Sequence, residues 1–350
     1  LAPIQKIVKN RLIGEILGFI QPRPSLLVGL ILSLLILLIC LVVSIGYGAA
    51  DISASTIYAA LTAFDGSADH LIIRTIRLPR SLIAILVGAA MAIAGAIMQG
   101  ITRNPLADPG ILGINAGAAM AVVIAVFAFD TTDPSFYAWY AFLGAGAAAI
   151  AVYFLGSLGR GGLTPLNLTI AGAAISTFLS SVTTGILIFS QRTLDEIRFW
   201  MAGSIAGRDF AIVWQVLPYI TLGLILAFAL GKQITTLNLG EDIAKGLGQR
   251  TAWVKVAAAF SVILLAGSAV AAVGPIGFIG LVVPHVVRLL VGVDYRWIMP
   301  YSAVFGAILL LTADIGARLL IKPQELPVGV MTAFVGAPLF VYLARFKVKK

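Results

Sequence analysis

The sequence predicts an all-α, polytopic integral membrane protein of about ten transmembrane helices with an inverted internal repeat. Three observations carry the membrane assignment. Hydrophobic residues make up 60% of the 350 residues and charged residues only 11%, against roughly 25% charge in ordinary soluble domains. Apolar runs of about 20 residues recur along the whole length, each long enough to cross a hydrocarbon core of about 30 Å. The mean hydropathy of +1.04 leaves too few polar side chains to cover a soluble protein with that many buried helices.

The chain opens with a basic segment, residues 1–25, carrying Lys6, Lys9, Arg11 and Arg23; such a flank stays in the cytoplasm. Leu26–Ile45 is too long for a signal-peptide core and reads as the first span. It contains Cys40, the only cysteine, so there is no disulfide framework or thiolate metal site. Gly46–Arg74 is only mildly apolar and is assigned outside. Spans two to five follow at Ser81–Gly100, Ile111–Phe129, Tyr137–Gly156 and Leu166–Phe189. Spans six to ten are Ala211–Leu230, Trp253–Val273, Ile276–Leu290, Ile298–Leu320 and Val328–Leu343, the eighth short and broken near Pro284. A basic tail at 346–350 closes one integral domain, 26–345, with no room for a soluble domain.

Ten spans place both termini on one side. With that side cytoplasmic, 16 of the 24 Lys and Arg residues lie inside, as the positive-inside bias requires. The net charge of +9 is thus scattered over helix ends, which is no footprint for nucleic acid. The repeat is read from two stretches, AMAIAGAIMQGITRNPLADPGIL (90–112) and SAVAAVGPIGFIGLVVPHVVRLL (268–290). Both run from small residues through a polar or proline break into a new helix, one after an inward span and one after an outward span.

Catalytic chemistry is nearly absent. There is no phosphate-loop motif, and the only histidines are His70, in the outer segment, and His285. The spans are almost free of ionisable groups, which argues against an ion-coupled transporter. Asp314 and Arg318, four residues apart, read as an internal helix pair. On the fifth span Ser176, Thr177, Ser180, Ser181 and Thr184 recur at three- and four-residue spacing and form one polar stripe. It suits a translocation path or, alternatively, hydrogen bonding between packed helices. Residues 236–250, TLNLGEDIAKGLGQR, alternate apolar and charged positions. They suit an amphipathic helix docked in a partner's groove, or a plain interfacial helix.

Taken together, RLPR (77–80), GAAMAIAGAIMQG, NPLADPGILG (104–113), LGEDIAKGLG (239–248), GFIGLVVPH (277–285), and ADIGARL with ELPVGVMTAFVGAPLF (313–340) form a familiar series. In this order, over roughly residues 26–345, the chain resembles the FecCD-type permeases of ATP-binding-cassette (ABC) importers for iron–siderophore complexes, haem and cobalamin. The resemblance implies a transport permease and not an enzyme, in a bacterial-type plasma membrane. Ferric siderophore complexes are the expected cargo; haem or cobalamin, or a secondary transporter working without ATP, are the alternatives. The implied partners are a second permease subunit (homo- or heterodimer), a cytoplasmic ABC ATPase dimer that uses the ATP, and an extracytoplasmic substrate-binding protein. No cofactor or metal is expected on this chain. By motif, Arg77, Arg80 and Arg318 fall on positions that dock the binding protein. Gly240, Glu241 and Gly248 fall on the coupling helix, where the amphipathic pattern adds Ala244 and Leu247 as groove contacts.

Overall fold

The structure is a computed structural model that describes residues 24–48, 52–130, 133–158, 164–321 and 324–347. The basic start with Lys6, Lys9, Arg11 and Arg23, the Arg160 loop, Lys322 and the last three residues of the tail lie outside the described residues. Every regular element among the described residues is helical. In chain order these are α1 (Pro24–Gly46), α2 (Ala54–Thr62), α3 (Ala68–Thr102), α4 (Ile114–Phe129), α5 (Pro134–Ser157), α6 (Pro165–Phe189) and α7 (Gln191–Met201). They continue with α8 (Phe210–Ala229), α9 (Gly231–Asn238), α10 (Glu241–Gly246), α11 (Thr251–Val273), α12 (Ile279–Val291), α13 (Tyr295–Leu319) and α14 (Val328–Lys347).

Seven helices (α1, α3, α5, α6, α8, α11 and α13) are long and apolar enough to cross a membrane, and α4, α12 and α14 are shorter apolar helices. Together they match the ten expected spans. The hinge before α4, the α9–α10 segment and the α12–α13 turn share one end of the bundle, called here the α10 end. The opposite end holds α2, the start of α3 and the end of α13, and is called the Arg80 end.

The core is built on α3 and α11, each with 78% of its apolar window buried, whereas α1 has 6% and is peripheral. Glycines permit the close crossings that bind helices where water supplies no hydrophobic force. A Cβ at Gly88 would collide with the Gly306 carbonyl on α13, and one at Gly306 with the Gly88 carbonyl. Likewise, Gly95 of α3 lies directly against the backbone of Gly280 in α12. The two stretches that echo each other in sequence therefore meet in space.

Two boundaries differ from expectation. The segment 46–74 carries α2 and the beginning of α3, which starts at Ala68 and passes through a π-helical turn, Ile72–Arg77, into the span. Ser53 caps α2 by accepting from the Thr56 amide, a local signal that hydropathy does not register. The eighth span breaks ahead of α12 and not at Pro284, which sits inside a continuous helix. The break lies at 274–278, where Gly274 and Phe278 take φ of 83° and 69°, the left-handed region. Pro284 has no amide to reach the Gly280 carbonyl one turn back. Gln99 Nε2 donates to that carbonyl instead, at 3.2 Å, and to Leu281 O at 3.1 Å, so the proline leaves no orphaned acceptor there.

Candidate functional site

The hydroxyl stripe lies on α6, which Thr164 starts by accepting from the Asn167 amide at 3.1 Å. Ser176 is half-buried, whereas Thr177, Ser180, Ser181 and Thr184 are exposed. With Gly185 and Ile188 they line a wide, open groove along the helix. Ser181 donates to the Thr177 carbonyl of its own helix at 2.9 Å, and no stripe hydroxyl bonds to another helix among the described residues. Only 17% of the apolar window of α6 is buried. The stripe is thus an uncharged polar face that its own chain leaves uncovered, not a seam between two of its helices.

The three arginines matched by motif do gather at the Arg80 end, but not as free surface charges. Arg77, Arg80 and Arg318 are 6%, 7% and 5% exposed. Arg77 Nη1 donates to the carbonyls of Ile45 and Gly46, both at 2.7 Å. Arg318 Nη1 donates to Ser44 O and Tyr47 O at 2.9 Å, and its Nη2 to Ser44 Oγ at 2.8 Å. These are acceptors that the end of α1 leaves without intrahelical partners, and cations suit a helix C-terminus. Arg80 binds Asp314 through Nε (3.0 Å) and Nη2 (2.8 Å) and reaches Glu325 Oε2 with Nη1 at 2.7 Å. Asp314 Oδ2 also meets Arg318 Nη2 at 3.1 Å. The predicted helix pair is therefore one edge of a four-membered charge network, Arg80, Asp314, Arg318 and Glu325, that joins α3, α13 and the loop before α14, while Arg77 and Arg318 bond to neutral acceptors at the end of α1. Buried charges of this kind are tolerated where each finds a counter-ion or hydrogen-bond acceptors.

At the α10 end, Gly240 (φ 130°) and Gly248 (φ 81°) bracket α10 with conformations that glycine tolerates best. Glu241 bonds Lys255 Nζ at 2.6 Å and Lys245 Nζ at 3.2 Å. Lys255 first, then Lys245, hold its carboxyl below the usual carboxylate range. Leu247 is 69% exposed, and Leu239 and Ile243 at four-residue spacing are 59% and 54% exposed, giving an apolar stripe. Ala244 does not belong to it. It is fully buried against Leu237 and Val254, because the opposite face of so short a helix must anchor it to the chain, and this corrects its expected role as a groove contact.

Several residues of the network and of the hinge escaped the sequence reading. Ser44 and Glu325 complete the arginine cluster, and Gln99 links α3 to α12 and accepts from Arg288 Nη2. Asp108, within NPLADPG, is half-buried, and its Oδ1 accepts from the Gly110 amide at 2.8 Å. The proline and glycine after Asp108 are the signal that such a turn folds back on itself. His70 is buried and paired with Asp65 at 2.8 Å. Among the described residues no three His, Cys, Asp or Glu side chains come together as a metal site.

The fold is thus that of a polytopic membrane protein, with a buried charge network at one end and an uncharged hydroxyl face left open along α6. The chain belongs to the FecCD transport family, whose model matches residues 35–346. It is 50% identical over 316 residues to the permease protein YfiZ of Bacillus subtilis strain 168, named for a siderophore transport system; the match covers 90% of this chain and 95% of that one. It is 46% identical over 311 residues to FhuB of the same strain, an iron(3+)-hydroxamate import system permease protein, with 88% and 81% covered. Among solved structures it superposes with a TM-score of 0.81, at 30% identity, on a metal-chelate type ABC transporter in an inward-facing conformation, covering 92% of this chain and 99% of that one. It is accordingly a multi-pass permease of the ABC importer class, a transporter and not a catalyst.

Proposed function

We propose that this permease imports ferric siderophore complexes as one subunit of an ATP-energised assembly. The observation that carries the reading is the hydroxyl face of α6, uncharged and uncovered by its own chain. Such a face suits a path formed where two permease subunits meet, homo- or heterodimer, along which a large polar chelate slides without ionic anchoring. The names of YfiZ and FhuB support siderophore cargo. The iron travels inside its chelator, so this chain holds no cofactor or metal of its own.

The sequence contains no phosphate loop, so ATP hydrolysis falls to a separate cytoplasmic ABC ATPase dimer. Leu239, Ile243 and Leu247 supply an apolar stripe for its groove, while Gly240, Glu241 and Gly248 shape the segment that presents it. With the α10 end in the cytoplasm, both termini are cytoplasmic and the Arg80 end faces outward. There an extracytoplasmic substrate-binding protein delivers the cargo. Arg77, Arg80 and Arg318 serve its docking by locking the helix ends beneath the contact.

Uptake of radiolabelled iron tests the reading in cells expressing the permease with its ATPase and binding protein. Ferric hydroxamate should enter saturably and only with a hydrolysis-competent ATPase. Entry of haem or cobalamin in its place, or iron uptake that survives loss of the ATPase, would refute it.

A further inference from the structure

A second cavity, unrelated to the hydroxyl stripe, opens at the α10 end. It measures about 350 Å³ and lies among the end of α3, α5, the start of α6, α9–α10 and the start of α11. That is within the size range of small-ligand sites, roughly 300–1,000 Å³. Its wall is mainly apolar, with Ile101, Leu112 and Leu168, and its polar lining includes Arg103, Tyr153, Glu241 and Lys255.

The polar groups are unevenly satisfied. Lys255 is held by Glu241 at 2.6 Å. Arg103 makes no hydrogen bond or ion pair with the described residues, although its Nη1 lies 4.0 Å from where a Cβ on Gly240 would sit. The Tyr153 hydroxyl likewise has no partner among the described residues. Two cations face one carboxylate, so the cavity carries an excess positive charge beside an apolar wall. Its depth is fixed by three helix ends, Thr102, Pro165 and Thr251. Trp253, 72% exposed in the first turn of α11, marks the same level as an interfacial aromatic.

We propose that this cavity binds the headgroup of an anionic phospholipid. The phosphodiester would sit between Arg103 and Lys255 with Tyr153 donating to it, and an acyl chain would follow the apolar wall toward the bilayer. Charge and apolar surface meet here at the level where lipid headgroups and chains meet. A basic pocket between helices at the cytoplasmic interface is the kind of site that selects anionic headgroups. The phosphate would compete with Glu241 for Lys255, so lipid charge would act on the fastening of α10. The proposal rests on the membrane placement alone and not on the cargo, so a wrong siderophore assignment leaves it standing.

Native mass spectrometry of the purified full-length permease tests it, after incubation with phosphatidylglycerol, phosphatidylcholine or soluble glycerophosphate. Phosphatidylglycerol should be retained over phosphatidylcholine. Arg103→Gln should cut that retention about tenfold, as loss of one charge-assisted contact implies, and Tyr153→Phe should lower it in a protein whose charges are intact. Equal retention of the two lipids, displacement of phosphatidylglycerol by glycerophosphate at matched concentration, or retention unchanged in both variants would overturn the proposal. If Arg103→Gln fails to fold, the lipid preference of the wild type and the Tyr153→Phe result decide.

Discussion

Arg80 grips Asp314 with two nitrogens, Nε at 3.0 Å and Nη2 at 2.8 Å, and both side chains are buried. The contact joins α3 to α13 at the end of the bundle opposite α10, and Arg318 shares the same carboxylate at 3.1 Å. Removing Asp314 would leave Arg80 with Glu325 as its one counter-ion among the described residues and Arg318 with only its neutral acceptors on α1. Asp314→Ala is expected to cost about 3–5 kcal/mol, typical of breaking a buried ion pair from one side. A large drop in thermal unfolding temperature in detergent is the readout. Arg192→Ala, which breaks the exposed pair with Asp130 at 2.6 Å, should change it little.

Close crossing of α3 and α13 depends on the absence of side chains at Gly88 and Gly306. Gly88→Ala should destabilise the permease by about 1–3 kcal/mol through overpacking. Gly185, which has open space around it, should accept alanine without loss, because alanine favours helix. Thermal unfolding of the two variants side by side tells these cases apart.

The two faces of α10 make opposite predictions. Leu247→Asp and Ile243→Asp, on exposed positions, should abolish co-purification of the ATPase while leaving thermal stability nearly unchanged. Ala244→Asp buries a charge against Leu237 and Val254 and should lower the stability of the permease itself. Retained ATPase in both surface variants would remove the docking role from this helix.

Glu241 gives a pH signature. Its carboxyl is held low by Lys255 and then Lys245, so the ionised form is the one the fold favours. The stabilisation is present above the unfolded-state value of about 4.3 and is lost as pH falls through the depressed folded value. Wild type should exceed Glu241→Gln in thermal stability near pH 7 by about 1 kcal/mol or less, since the pair is partly solvated. The gap should close on acidification below about pH 4.

Hydropathy and spacing made the ten helices and the α6 stripe legible, because both depend on local periodicity. The pairing of Asp314 with Arg318 was legible for the same reason, lying one helical turn apart. The remaining partners of the arginine network were not. Ser44, Arg80 and Glu325 come from three distant segments, and only the tertiary crossing of α3 with α13 brings them together. A similar limit applied at Pro284, where a proline that normally breaks a helix is accommodated by Gln99 from another helix. The inward face of Ala244 was missed because a six-residue helix offers too short a pattern to choose between its two sides.

The role proposed for the hydroxyl face of α6, to line the path of the cargo, is open to direct chemical labelling. In a Cys40→Ala background, which removes the only native thiol, Ser180→Cys and Thr177→Cys can be exposed to a membrane-impermeant maleimide in assembled transporters. Both positions should be labelled, the ferric chelate should slow the labelling, and labelled transporters should lose iron uptake. Absence of labelling, or full uptake after complete labelling, would remove α6 from the path.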